Sequence, residues 1–299
     1  MTRPTLEVAV FSCNRGPWLA QCVASVRTAL PFARLRVHDD GSDDPATREV
    51  LEALGEAVVS HDGGGRARHG GLYANMQHAL DAAEGDHLLL LQDDMQVVRP
   101  LLAGDREEIA AIFRALPEAA FLAPTFIKGR RRRRHMRRLI ADPARRAYRP
   151  RPDLPAGRRL AYHDTALAHV GRLRAAGWQF AGSEAACVAR ARALFGEMAW
   201  MGDPFTFFAP EVPVHRGRAP GRAGKLAARR GPAAPIGFEM MDEAASARFR
   251  ARPLSDWPVA EEHLIPTHPA TRRPFVYKDV RRRWWLNLLD KAERAPRRS

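Results

Sequence analysis

Gly85-Asp86-His87-Leu88-Leu89-Leu90-Leu91-Gln92-Asp93-Asp94 is the stretch on which the fold turns. The leucine run is far shorter than the roughly 20 residues that cross a bilayer. Residues 86–91 read as a strand, and the strand ends in a polar amide and two adjacent carboxylates. Upstream, a helix over about Tyr73–Ala83 leads into Gly85. Before it come a short strand at Ala57–Ser60, a helix at Pro45–Leu54 and a strand at Leu35–His38. That last strand runs into Asp39-Asp40-Gly41-Ser42-Asp43-Asp44. Trp18, Leu19, Cys22, Val23 and Val26 follow at helical spacing behind Pro17, which suits a first helical turn. Thr5–Cys13 opens the chain as a buried strand closed by Asn14-Arg15-Gly16.

Strands alternating with helices at this spacing predict βαβ units and a mostly parallel sheet with helices on both faces. Such sheets bind ligands outside the carboxyl ends of their strands. Ser12–Arg15, Asp39–Asp44 and Gln92–Asp94 all follow strands, so all three clusters belong on that one edge. Adjacent carboxylates at a strand end repel each other, and a hard divalent cation relieves the repulsion. Mg²⁺ and Mn²⁺ are commonly held by one or two carboxylates plus substrate phosphates. Asp43 or Asp44 reads as the cap of the next helix. Capping leaves Asp39 and Asp40 unexplained.

In this order the motifs resemble the family 2 glycosyltransferases, which have the GT-A fold. Val8-Ala9-Val10-Phe11-Ser12-Cys13-Asn14-Arg15 is similar to that family's first strand and its T-x-N-R turn. Val37-His38-Asp39-Asp40-Gly41-Ser42 matches its V-x-D-D-G-S element, and Gly85–Asp94 matches the strand that carries its metal motif. The resemblance covers about Thr5–Pro100. It implies a nucleoside diphosphate sugar as donor, with a UDP-sugar favoured, and Mg²⁺ or Mn²⁺ as cofactor. By the same resemblance Asp39 or Asp40 contacts base or ribose, Ser12, Asn14 and Arg15 line the nucleotide, Asp94 holds the metal, and Asp93 lies near the sugar or ribose. Gln92 stands where many relatives have the first Asp of the metal motif. The family's a-R-N segment appears as Tyr73-Ala74-Asn75 without its Arg, which makes Arg66 and Arg68, just upstream, candidates to face the diphosphate, with Asn75 beside them.

An inverting transferase needs a carboxylate to accept the proton of the attacking hydroxyl. The family's G-x-E-D stretch is missing here. Glu184, at the start of a helix N-capped by Ser183, and Glu211 are the candidates, with Asp203 third and Asp164 next. His263 and His268 occupy the late position from which some GT-A enzymes complete a metal site, although their spacing suits no zinc pair.

Beyond Leu101 the pattern weakens. The reading is a helix at Arg106–Leu116, a strand at Ala119–Phe126, helices at Leu167–Ala176 and Ser183–Phe195, and a loop at Glu211–Pro235. Lys128–Arg138 carries eight basic residues in eleven, and Pro/Arg-rich sequence continues to about Arg159; this segment is expected to be a loop or excursion. The division expected is a nucleotide-sugar half at 1–127, the excursion at 128–160, an acceptor-side half at 161–275 and a basic amphipathic tail at 276–299. Forty-eight Lys and Arg against thirty-four Asp and Glu give +14, a field that favours anionic partners. The basic run lacks interleaved aromatics, so nucleic acid is not expected. A glycan or lipid-linked acceptor is. The tail's Trp284, Trp285, Leu288 and Leu289 among arginines suit an anionic membrane surface or packing on the domain. Three scattered cysteines make neither a disulfide framework nor a zinc site, and the chain is expected to be cytoplasmic. Two other readings stand beside this one. The first is a sugar-phosphate nucleotidyltransferase of similar fold, although the first strand lacks the Gly-rich basic loop such enzymes carry. The second is a catalytically degenerate domain acting as a polyanion or membrane adaptor.

Overall fold

The computed structural model describes residues 4–60, 71–216, 219–232 and 234–294. The first half runs β1 (Leu6–Ser12), α1 (Gly16–Ala29), β2 (Arg34–Asp39), α2 (Pro45–Leu54), β3 (Val58–Ser60), α3 (Leu72–Asp81), β4 (His87–Gln92), β5 (Met95–Val97), α4 (Ala103–Ala115) and β6 (Phe121–Ala123). It continues with α5 (Arg132–Arg138), β7 (Leu139–Asp142), β8 (Ala147–Pro150), β9 (Leu167–His169), α6 (Val170–Ala175), α7 (Glu184–Leu194), β10 (Ala199–Met201) and β11 (Thr206–Phe208). The chain ends in β12 (His215–Arg216), β13 (Ala219–Pro220), α8 (Arg222–Ala228), α9 (Glu243–Ala251), α10 (Ala260–His263) and α11 (Trp284–Arg294).

Among the described residues, nine strands form one sheet in the order β3-β2-β1-β4-β9-β6-β10-β8-β7. Only β8 and β9 run against the others, so the expected mostly parallel sheet is present. β1 is buried along its whole length, and its side chains divide by strand alternation between two cores. Val8 and Val10 join Leu89 and Leu91 of β4 under α1 and α4. Ala9 and Phe11 join Leu88 and Leu90 under α3, α6 and α7. Each such leucine contributes about 1.5–3 kcal/mol of burial, which accounts for the unbroken leucine run between His87 and Gln92. Glu7 is the buried exception: its carboxylate accepts from the Glu84 and Gly85 N–H groups and pins the turn into β4.

The second half departs from expectation in three places. The basic segment after Lys128 is not a loop. α5 is followed by a β7–β8 hairpin that pairs with β10 and extends the sheet. Leu167–Ala176 is not one helix, because Leu167–His169 pairs antiparallel with both β4 and β6. The stretch after Glu211 holds a short β12–β13 ribbon and α8. Ser183 caps α7 as expected, accepting from Ala186 N. In the tail, Leu286 is buried and Trp285 packs beside α8, while Trp284 is 76 % exposed. No helix among the described residues is long and apolar enough to cross a membrane.

Candidate active site

Parallel register builds the site. Phe11 pairs with Gln92 and Ser12 with Asp39, which puts Ser12, Asp39 and Asp93 in one row across β1, β2 and the end of β4. After Ser12 the chain turns through Asn14, at φ 52, a left-handed conformation Asn tolerates better than most residues. That turn lets the Asn14 side chain tie two loops together. Its carbonyl oxygen accepts from Asp43 N and Asp44 N, its amide donates to Asp43, and its backbone N–H donates to Ser42 Oγ. Asp39 accepts from Ser42 N at 2.7 Å and Ser42 Oγ at 2.6 Å, and Asp44 caps α2 through Thr47 N.

Arg15 Nη1 lies 2.8 Å from Asp93 Oδ1 and 3.5 Å from Asp94 Oδ2. Asp93 also accepts from Cys13 N and Ser12 Oγ. Burial pushes the Asp93 carboxyl up to about 6, with Arg15 opposing the rise and Asp94 adding to it. Burial works against the Arg15 charge, yet Asp93 and Asp94 outweigh it, and its basicity rises. Asp94 Oδ1 is buried with no hydrogen-bond partner among the described residues. A carboxylate oxygen in that state is costly unless something pairs with it. The donor set fits a hard divalent cation: Asp94 offers the unpartnered oxygen, and the neutral Gln92 adds none of the repulsion a third acid would bring.

Asp40 and Asn75 meet across Gly71. A Cβ on Gly71 would come within 2.7 Å of Asp40 Oδ1 and 3.8 Å of Asn75 Nδ2, so any larger residue there would have to displace the Asp40 carboxylate. Arg66 and Arg68 lie outside the described residues. His215 was not singled out by sequence reasoning, and a lone His in a Gly/Arg-rich stretch offers no signal. Burial and the nearby Arg15 charge push it down to about 4, with Asp44 opposing, so β12 lies near Arg15 and Asp44.

The three base candidates separate. Asp203 is 1 % exposed and caged, 2.7 Å from Arg146 and 2.6 Å from Arg252; it holds the fold and has no oxygen to offer a substrate. Glu211 lies two residues beyond Ala209, whose N–H donates to Asp94 O at 2.8 Å, and its own N–H donates to Val276 O. It adopts φ 54, and Oε2 lies 3.3 Å from Arg282 Nη1. Glu184 lines a cavity of about 800 Å³ together with Gln92, Asp164, His163 and Lys128. Its side chain is 50 % exposed, 3.7 Å from His163 Nε2. Asp164 accepts from Tyr73 at 3.1 Å, and burial and Glu184 raise its pKa. His263 does not join this site. Its Nε2 lies 3.2 Å from Trp257 O and 3.9 Å from Asp256, and His268 Nδ1 accepts from Ala270 N in its own turn.

A family model described as glycosyl transferase family 2 matches residues 7–161. No curated protein sequence matches the chain. Among solved structures, the mannosyltransferase PcManGT from Pyrobaculum calidifontis, in complex with GDP-Man and Mn²⁺, is 15 % identical with a TM-score of 0.48, over 79 % of this chain and 67 % of that one. S. aureus TarS 1-349 in complex with UDP is 14 % identical with a TM-score of 0.45, over 68 % and 60 %. Glucosyl-3-phosphoglycerate synthase from Mycobacterium tuberculosis, in complex with Mn²⁺ and UDP-glucose, is 18 % identical with a TM-score of 0.41, over 66 % and 68 %. The match spans only 36 % of the longer S. aureus TarS chain.

Proposed function

The chain belongs to glycosyl transferase family 2, and on that premise we propose that it moves a glycosyl group from a nucleoside diphosphate sugar to an acceptor hydroxyl, with inversion. The observation that carries the reading is the Asp93–Asp94 pair, with one buried oxygen unpartnered, in register with the Asp39 row and beside the cavity that holds Glu184. Asp40 and Asn75 flank the close approach at Gly71 where base or ribose would rest. Asp94 and Gln92 would hold Mg²⁺ or Mn²⁺, which when bound balances charge on the departing diphosphate as a Lewis acid.

The acceptor oxygen attacks the anomeric carbon, the carbon–oxygen bond to the diphosphate breaks, and the bonding pair leaves with the nucleoside diphosphate. Glu184 takes the hydroxyl proton. Among the candidates it alone combines a place on the cavity wall with an accessible carboxylate that no Arg cages. Asp94→Ala tests the reading. Mn²⁺-dependent nucleoside diphosphate binding, measured by calorimetry, should disappear while the thermal melt stays in place, because a strand-end carboxylate supports no core. Undiminished binding would sink the assignment.

The acceptor belongs to surface glycan or glycolipid synthesis on this reading, with the protein at the cytoplasmic face of a membrane. Trp284 and Leu288, both exposed and one turn apart on α11, motivate the membrane contact. Co-sedimentation with phosphatidylglycerol vesicles that survives in Trp284→Ser/Leu288→Ser would remove it.

A further inference from the structure

The cavity beside Gln92 carries seven Lys and Arg side chains against two carboxylates, so its own acids cannot neutralise it. Two of the seven are occupied structurally. Arg159 pairs with Glu197 and also donates to Leu154 O, and Arg192 donates to Gly157 O and Arg159 O. Arg131, Arg134, Arg138 and Arg158 have no carboxylate partner among the described residues. The first three recur at helical spacing, Arg131 at the N-cap of α5 and Arg134 and Arg138 within it, and make one face of the helix part of the cavity wall. On the same helix Arg132 faces away and pairs with Glu262.

The neighbouring groups record the uncompensated potential. Burial and then Arg131, Arg134 and Arg138 push His135 down to about 4. Burial and then Arg131 push Lys128 down to about 8, even though its Nζ lies 3.4 Å from the centre of the Phe208 ring. Burial and then Arg134 and Arg158 lower Arg138 itself. Like charges held together without a counter-ion destabilise the free protein, and a bound anion reverses that sign. The lining also holds apolar and aromatic side chains, among them Trp200, whose ring meets that of His135 at 5.8 Å, and such a surface suits the face of a sugar ring.

We propose that this cavity is the acceptor subsite and that the acceptor is a phosphate-bearing sugar or glycan, its phosphate held by Arg131, Arg134, Arg138 and Arg158 while its hydroxyl reaches Glu184. The inference rests on the glycosyl-transfer reading for the word acceptor; the anion site stands on the arginines alone. Planar guanidinium forks bind phosphate oxygens in pairs, which a scatter of lysines would not do.

The test uses inorganic tripolyphosphate as probe, with EDTA present so that no metal recruits it to Asp94. Arg134→Ala/Arg138→Ala should weaken its binding at least tenfold. Arg133→Ala/Arg137→Ala removes the same charge from residues of α5 that do not line the cavity and should change binding less than twofold. The His135 ring, followed by NMR, should titrate higher when the probe is bound. Equal loss in the two double variants, or an unmoved His135, would overturn the site in favour of a general surface field. So would binding to phosphatidylglycerol vesicles without binding to the soluble probe, since a lipid surface does not enter the cavity. Mn²⁺-dependent nucleoside diphosphate binding by the wild-type chain is measured alongside. Its absence would strike the transferase reading and leave the anion site intact.

Discussion

On the β1–β2 flank of β4 the site is acidic and largely paired within itself. Asp39 is held by Ser42, Asp93 by Arg15, and Asn14 bridges to Asp43. On the β9 flank the cavity is basic, and its arginines have few acids to meet. The first flank is organised before any ligand arrives: the row of strand ends sets each carboxylate, and hydrogen bonds fix its orientation. The second is held apart by repulsion that only a ligand removes. Pre-organisation on one side and stored electrostatic stress on the other suit a donor that must be placed to within a bond length and an acceptor that must be recruited.

The sharpest way to break this contrast is Glu184→Gln. Loss of a general base costs about 10²–10⁴-fold in rate, and the proton moves only in the transition state, so kcat should fall while donor affinity stays put. Steady-state kinetics with calorimetric donor binding decides it, and an undiminished kcat would return the role to Glu211 or Asp164. Next is Asp203→Asn. Removing one partner of a buried pair leaves Arg146 and Arg252 uncompensated and should cost about 3–5 kcal/mol in urea unfolding. The kcat of the folded fraction should stay within a few-fold of wild type; a collapse in kcat without loss of stability would make Asp203 part of the chemistry after all.

Asp39→Asn should weaken nucleoside diphosphate binding by about 1–3 kcal/mol, the scale of a hydrogen bond to a charged group. Unchanged affinity in a calorimetric titration would take the nucleotide away from this row. The smallest effect is expected at Lys128. Its folded pKa, about 8, lies below the ordinary 10.5, so its contribution to stability is complete above 10.5 and lost as pH falls through 8. Lys128→Met should therefore gain about 1–2 kcal/mol on wild type between pH 10 and pH 7. Parallel pH curves for the two proteins would mean that the cavity does not penalise the charge.

Much of the β1–β2 flank was legible because its signals are local. Thr5–Cys13 and Asp86–Leu91 announce buried strands by composition, the residues following them carry the polar clusters, and adjacent parallel strands must bring those clusters to one edge. The chain order alone thus determined that Ser12, Asp39 and Asp93 would be neighbours. What it did not contain is how their charges are shared: Arg15 on Asp93, and an oxygen of Asp94 left over, depend on side-chain directions set by the turn at Asn14. In the second half β9 and β10 are three residues each, too short for any period to show, and they become strands only because β4 and β6 offer edges to pair with. The arginines after Lys128 read as a solvated loop for the same reason. Only the β7–β8 hairpin pairing with β10 places α5 beside Glu184. Asp203, third among the base candidates in sequence, is caged by Arg146 and Arg252, 57 and 49 residues away in the chain. Hydrophobic periodicity is a property of neighbouring residues, so it can be read along the chain; charge pairing depends on distances across the fold, and those exist only once the sheet has formed.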